Sequence, residues 1–508
     1  MKAVAFQAAS AKRGASPFSC FTTSRLARDV RAQGERALRG SSAGSAATRR
    51  SDASARELAS SSALAVALCE GPENWHRLGV STALAPSTSP SDPVTSVVVD
   101  GEGRHRLGVL GGSALYVGAL IGPGLLLVPA LAARAAGAAS IIAWGALLLL
   151  SAPLAITFAA LGVRHPVAGG VSAYVREGLG DAAAAITGVW FLTAVLLGAP
   201  AVSLIGGYYV ADLTGSGTGV AALIGLAMFA TVLIANTFGL RVSSGFQLAL
   251  SSILIVVMAV AISVALPSRA GDNWTPFAPH GWWAVGTAAN ILVWLFVGWE
   301  AVAQLAGDFR RPATDLPRAM GVAFGLVTIL YIGLAVATIG VTVGTDSKVP
   351  LADLISVGFG RVGRDATAVL AVALTMGTMN VYLAGTAKLS AALAQSGALP
   401  PWLASDAHRS VPRRPLALIA VVGVTLLAGL VVGIGSAGSL VRATSALFIA
   451  VYVLAIVSAI RILDGRVRLA AVLALAAVLA LAVFSAGFLL VPAAAALVSV
   501  ALRRRLRS

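Results

Sequence analysis

Charge is what this chain has least of. Only 11% of its 508 residues are charged while 57% are hydrophobic, and the mean hydropathy is +0.87. Soluble domains carry about one-quarter charged residues, so a soluble globular fold is excluded and the chain reads as an all-α polytopic membrane protein. Cysteine is nearly absent as well. Cys20 and Cys69 are the only two, and both precede the first long apolar run, which excludes disulfides and a cysteine-based metal site from the membrane part. H-E-x-x-H, G-x-S-x-G and phosphate-loop patterns are missing and the five histidines are scattered, which speaks against an enzyme or an ATP-driven pump and asks for no cofactor or metal. The net charge of +16 sits between apolar runs and at the chain end, without the basic face that a nucleic-acid binder needs.

Residues 1 to about 104 are rich in Ser, Ala and Arg, and their best apolar run, 63–68, is far too short to span. Disorder is expected there, or an over-extended reading frame. No Met lies between Met1 and Met228, so a later start would need an alternative codon, at Val97, Val98 or Val99. The membrane domain is therefore 105–508.

From residue 107 the sequence offers twelve candidate spans, at about 107–133, 139–161, 182–210, 219–238, 243–266, 284–306, 318–343, 364–394, 415–434, 439–462, 467–484 and 486–502. An even count puts both termini on one side. With the N-terminus in the cytoplasm, nineteen Lys and Arg fall on inner segments and six on outer ones, the asymmetry expected of a plasma-membrane protein so oriented.

Span one contains Leu120-Ile121-Gly122-Pro123-Gly124-Leu125. Pro lacks an N–H and clashes with the preceding turn, and Gly adds no stiffness, so the helix must break. A break in hydrocarbon is tolerated only where it is buried in protein or lines a polar cavity, the situation of transporter binding sites; a repaired proline kink is the other reading. Span six, five spans later, carries Trp294-Leu295-Phe296-Val297-Gly298-Trp299-Glu300, with a Gly and a carboxylate where apolar residues belong. That offset suits an inverted repeat of two five-helix halves, about 107–266 and 284–462, followed by accessory helices at 467–502.

Thirteen acidic residues follow residue 100, and all but Glu300 fall in loops or at span ends. An ionisable group inside a span marks a functional site by default and suits a group that binds and releases a proton. Alternatively Glu300 reaches water near Asp308, about two helical turns away. Gly169-Gly170, after His165-Pro166, reads as a turn. Polar residues such as Trp190, Thr444 and Ser445 read as contacts between helices, whereas Asn380 and Tyr382, beside a Gly-Thr-Met run in span eight, are the better candidates for a ligand.

These residues resemble the amino acid-polyamine-organocation transporters. The resemblance covers about 105–505 and rests on Ile121-Gly122-Pro123-Gly124 with Val128-Pro129-Ala130, on Pro166-Val167-Ala168-Gly169-Gly170, and on Phe296-Val297-Gly298-Trp299-Glu300 leading into Asp308-Phe309-Arg310-Arg311-Pro312 and Asp315-Leu316-Pro317-Arg318-Ala319. Within that family, Met379-Asn380-Val381-Tyr382 and the alanine-rich stretch after Pro129 are most similar to bacterial exporters of methionine and branched-chain amino acids. The resemblance implies the twelve-helix leucine-transporter fold with broken helices one and six. It implies a substrate carboxylate on the amides of Gly122, Gly124 and Leu125, and an amino group on the carbonyls of Leu120, Trp294 and Val297. Gly298 lines the second break, Trp294 and Trp299 are expected to gate, and Glu300 to couple to protons. Pro123 departs from the usual Ser or Thr, removing a hydroxyl and an N–H. The function implied is secondary export of neutral apolar amino acids by proton antiport, with membrane lipid as surroundings; an importer or exchanger of the same class, or a membrane sensor that has kept the fold, are the alternatives.

Overall fold

In a bilayer every backbone N–H and C=O must find its partner within the protein, which leaves helices as the economical solution for apolar runs. The computed structural model describes residues 107–164, 170–240, 243–268, 271–300, 309–342 and 347–507. The N-terminal extension, Asp308 and the Pro166 to Gly169 motif lie outside the described residues.

The helices are α1 (Val109–Leu120), α2 (Val128–Ala136), α3 (Ser140–Arg164), α4 (Gly170–Leu179), α5 (Asp181–Leu213), α6 (Thr218–Thr237) and α7 (Ser244–Ala265). After a connecting segment come α8 (Trp283–Leu292), α9 (Pro312–Thr342), α10 (Pro350–Gln395), α11 (Arg413–Val431), α12 (Ala437–Ile462), α13 (Gly465–Val483) and α14 (Leu490–Arg507). Among the described residues ten helical runs are long and apolar enough to cross a membrane, and two apolar segments, Val109–Leu120 and Trp283–Phe296, are shorter. The one β pairing among the described residues is a bridge between Leu107 and Phe309, where the Arg310 N–H donates to the Leu107 carbonyl at 3.0 Å.

Two local expectations are corrected. Gly170 starts a helix, α4, rather than completing a turn between spans. The eighth span is preceded by a helical piece that apolar counting missed: α10 begins at Pro350 and bends at Gly360, whose φ of 55° lies where only Gly is at ease. Arg364, just beyond the bend, holds this piece to the end of α5, with Nε 2.6 Å and Nη2 2.7 Å from the Asp212 carboxylate and Nη1 2.9 Å from Asp353. A buried carboxylate also lies at a span end. Asp315 is 3% exposed in the first turn of α9, with Arg311 at 3.6 Å one turn before it.

Helix packing runs through small residues, as expected where lipid tails are as apolar as leucine and close backbone approach supplies the attraction. The closest approach of backbone to backbone is between α5 and α6. A Cβ on Gly207 would fall 2.1 Å from the Ala221 carbonyl oxygen, and one on Gly225 would fall 3.2 Å from the Ser203 carbonyl oxygen and the Leu204 Cα. These are backbone atoms that no rotamer can move aside. Gly207→Val should therefore destabilise the protein by about 3 kcal/mol or more, seen as a lower Tm in detergent, while Gly219→Ala at the start of α6, where a Cβ meets nothing within 4 Å, leaves Tm unchanged.

Candidate substrate site at two broken helices

The first break follows directly from Gly-Pro-Gly. α1 ends at Leu120, and Gly122 is extended (φ −130°, ψ −175°). Pro123 then opens a 3-10 turn, Pro123–Leu126, in which its missing N–H costs nothing. The Leu125 N–H donates to the Gly122 carbonyl and the Leu127 N–H to that of Gly124, both at 3.2 Å, before α2 begins. The Leu125 amide is thus engaged within the turn, whereas those of Gly122 and Gly124 have no hydrogen-bond partner among the described residues.

The second break follows α8. A 3-10 turn, Val293–Phe296, leads into extended Val297 (φ −75°, ψ 128°) and then Gly298 with φ 138°. Gly298 needs to be glycine twice over, since a Cβ there would also lie 3.0 Å from the Ala119 carbonyl oxygen and 3.2 Å from the Leu120 side chain. From the other side, a Cβ on Gly124 would meet Leu295 at 2.9 Å and the Trp294 ring at 3.5 Å. The two breaks face each other in direct contact.

Tyrosine hydroxyls close the gaps that the breaks open. Tyr331 on α9, with its ring in edge contact with Trp144 and Phe296 at 5.4 Å each, places its hydroxyl 3.0 Å from the Leu120 carbonyl oxygen and 2.9 Å from that of Leu295. One O–H shared between two acceptors ties the breaks together. Tyr209 on α5 donates to the Leu126 carbonyl at 2.9 Å. Glu300, 6% exposed, accepts the Gly298 N–H at 2.9 Å and the Tyr452 hydroxyl at 2.6 Å, both on Oε2. Tyr452 sits on α12 against Phe158 of α3, with ring centroids 5.8 Å apart.

The remaining expected residues divide. Half-buried Trp294 reaches from Gly124 to Gly198 of α5, where its far ring edge comes within 3.7 Å of a Cβ position that also contacts Thr444. Trp299 is 1% exposed, tilted against Phe324 at 6.2 Å, and its indole N–H has no partner among the described residues. Asn380 donates its side-chain amide to the Leu240 carbonyl at 3.0 Å, a contact between helices rather than with either break. Tyr382, on α10, is 45% exposed. The hydroxyls of Thr444 and Ser445, read as contacts between helices, are buried without a partner among the described residues. Sequence reasoning missed Tyr209, Tyr331 and Tyr452. The available signal was scarcity: the chain has seven tyrosines, and one inside an apolar span needs a partner for its hydroxyl.

This arrangement, a helical bundle that crosses the membrane many times and keeps unpaired amides, capped carbonyls and a buried carboxylate at two facing breaks, defines a membrane transport protein. The amino acid permease family model matches residues 107–502, and the chain belongs to that family. An uncharacterized amino acid permease of Bacillus subtilis, YecA, is 34% identical over 359 residues, covering 70% of this chain and 84% of that protein. The L-methionine/branched-chain amino acid exporter YjeH of Escherichia coli is 31% identical over 377 residues, covering 73% and 89%. The branched-chain amino acid permease BcaP of Bacillus subtilis is 29% identical over 325 residues, covering 58% and 68%. The family consists of transporters rather than enzymes, and the chain is a multi-pass plasma-membrane protein.

Tyr331→Phe keeps the ring between Trp144 and Phe296 but strips the donor from two buried carbonyls. Loss of such a shared hydrogen bond is expected to cost about 1–3 kcal/mol, read as a fall in Tm. An unchanged Tm would mean that the two breaks are held together by packing alone.

Proposed function

We propose that the protein exports neutral, apolar amino acids of the methionine, leucine, isoleucine and valine class in exchange for protons. The observation that carries this is the pair of facing breaks with Glu300 beside them. The amides of Gly122 and Gly124 receive the substrate carboxylate at the start of the helical segment that continues into α2, where the helix dipole favours negative charge. The amino group meets the carbonyls of Leu120, Trp294 and Val297. Leu120 already accepts from Tyr331, and a carbonyl has a second lone pair to offer. Around the breaks Glu300 is the one carboxylate described, and an unpaired charged side chain at that depth is strongly disfavoured, so apolar side chains fit. Trp294, spanning from Gly124 to Gly198, serves as the inner wall and gate. Tyr382, 45% exposed on α10, lies on the substrate's way.

Twelve crossings in two inverted halves, 107–266 and 284–462, with accessory helices at 467–502 and both termini in the cytoplasm, complete this reading. It is supported by the interruption of the first helix in each half and by the two short apolar segments there. Alternating access then rocks the broken helices against the rest. A second reading, import or exchange of the same substrates, has support in the likeness to the Bacillus subtilis branched-chain permease, since a carrier runs in the direction of the larger combined gradient.

Proteoliposomes preloaded with labelled leucine or methionine should lose label faster with the protein than without, and faster still when the outside is acidified; uptake alone would assign the importer, and no flux in either direction a sensor. Unlabelled leucine and methionine should compete for the carrier and arginine or lysine should not.

Glu300→Gln mimics the protonated acid, keeping the acceptor for Gly298 and Tyr452 while removing the charge. The variant should still exchange leucine for leucine but lose the dependence of net flux on a pH gradient. Full pH-driven flux in Glu300→Gln would make Glu300 a structural acid and move the coupling elsewhere.

A further inference from the structure

We propose that an anionic phospholipid docks in the groove between α3, α9 and α13, with an acyl chain along the groove wall and its phosphate against Arg164. This inference is independent of the transport reading, because the groove lies outside the facing breaks. The groove has a volume of about 480 Å³ and is lined among others by Ala155, Ala159, Pro317, Gly321, Phe324 and Val467. Its α3 wall runs from Ala152 to Arg164, a length of about 18 Å at the helical rise, which matches the roughly 15 Å of hydrocarbon in one leaflet. Small residues, five alanines and Gly321, leave room along its floor, and it opens sideways, since Ile156 is 51% exposed and Gly321 is exposed.

The chemistry changes abruptly at one end. Arg164 lines the mouth, 45% exposed, and its contact with Asp464 at 3.4 Å leaves the aspartate 83% exposed, a pair of the weak surface kind. Arg466 and Arg468 flank the lining residue Val467 and are exposed. Arg318 follows the lining residue Pro317 and is exposed, and Arg311 is 76% exposed beside Asp315. α9 and α13 both begin at this end, so their N-terminal partial charges have the same sign as the arginines. An apolar slot of one-leaflet depth with a positive rim fits a lipid tail under an anionic head; a zwitterionic head would match the slot but waste the rim.

Native mass spectrometry of the full-length, delipidated protein tests this, with dioleoylphosphatidylglycerol and dioleoylphosphatidylcholine as probes. The wild type should retain the phosphatidylglycerol adduct in clear preference to phosphatidylcholine. Arg164→Gln and Arg466→Gln should each weaken phosphatidylglycerol binding about fivefold, the effect of one basic residue at an anionic lipid surface, and leave phosphatidylcholine unchanged. Gly321→Leu, whose Cβ would meet nothing within 4 Å, fills the slot without displacing its walls and should reduce retention of both lipids. Equal retention of the two lipids by the wild type, or undiminished phosphatidylglycerol on Gly321→Leu, overturns the proposal. So does a dimer without lipid that dissociates in Gly321→Leu, which would give the groove to a second copy of the chain.

Discussion

A broken helix inside a membrane releases backbone groups that have no water to turn to, and the centre of this protein is arranged around supplying their partners. The Tyr331 hydroxyl is the pivotal one, because it reaches a carbonyl at each break and does so from a third helix. Tyr209 does the same for Leu126, and the Gly298 N–H is received by Glu300. The amides of Gly122 and Gly124 are left without a partner among the described residues. The asymmetry is chemically sensible. The Leu120, Leu126 and Leu295 carbonyls are capped by tyrosines of the protein, while the amides left at the first break are of the polarity that a carboxylate seeks.

Much of the helical architecture could be read in the sequence because hydrocarbon imposes a length rule on whole segments. The position of the first break was legible for the same reason that it exists: Gly122, Pro123 and Gly124 forbid the helix locally, and no distant residue needs to be known. Gly298 and Glu300 stood out as foreign to an apolar run. What escaped depended on three-dimensional neighbours. Tyr331 and Tyr452 sit in unremarkable apolar stretches and acquire meaning only through Leu120, Leu295 and Glu300, which are between 36 and 211 residues away. Asn380 looked like a ligand group because of its own neighbours in sequence, yet its amide is directed to Leu240. The helical piece starting at Pro350 was missed because counting apolar residues does not reveal a short helix held by the Arg364 ion pairs.

Membership in the amino acid permease family and the facing breaks converge on transport from different directions, one from sequence likeness and the other from local geometry. Glu300 is tied to that geometry in a specific way. Its Oε2 holds the amide of Gly298 and the hydroxyl of Tyr452 together, so the carboxylate joins the second break to α12. Charge on Glu300 strengthens both hydrogen bonds and neutralisation weakens them, which links proton occupancy to how firmly the break is held.

The contact between α5 and α6 at Gly207 and Gly225 has a mechanical meaning. Most helix pairs meet through side chains, which give by rotating about their own bonds; here main chain rests on main chain and there is no such bearing. Sliding one helix along the other would drive carbonyl oxygen into α-carbon, so the two travel as a single stiff beam. α5 also forms the wall at Gly198 that Trp294 touches, and its far end is gripped by Arg364. This beam is a fixed reference within the bundle, and the distance from Trp294 to Gly198 measures where the second break stands against it.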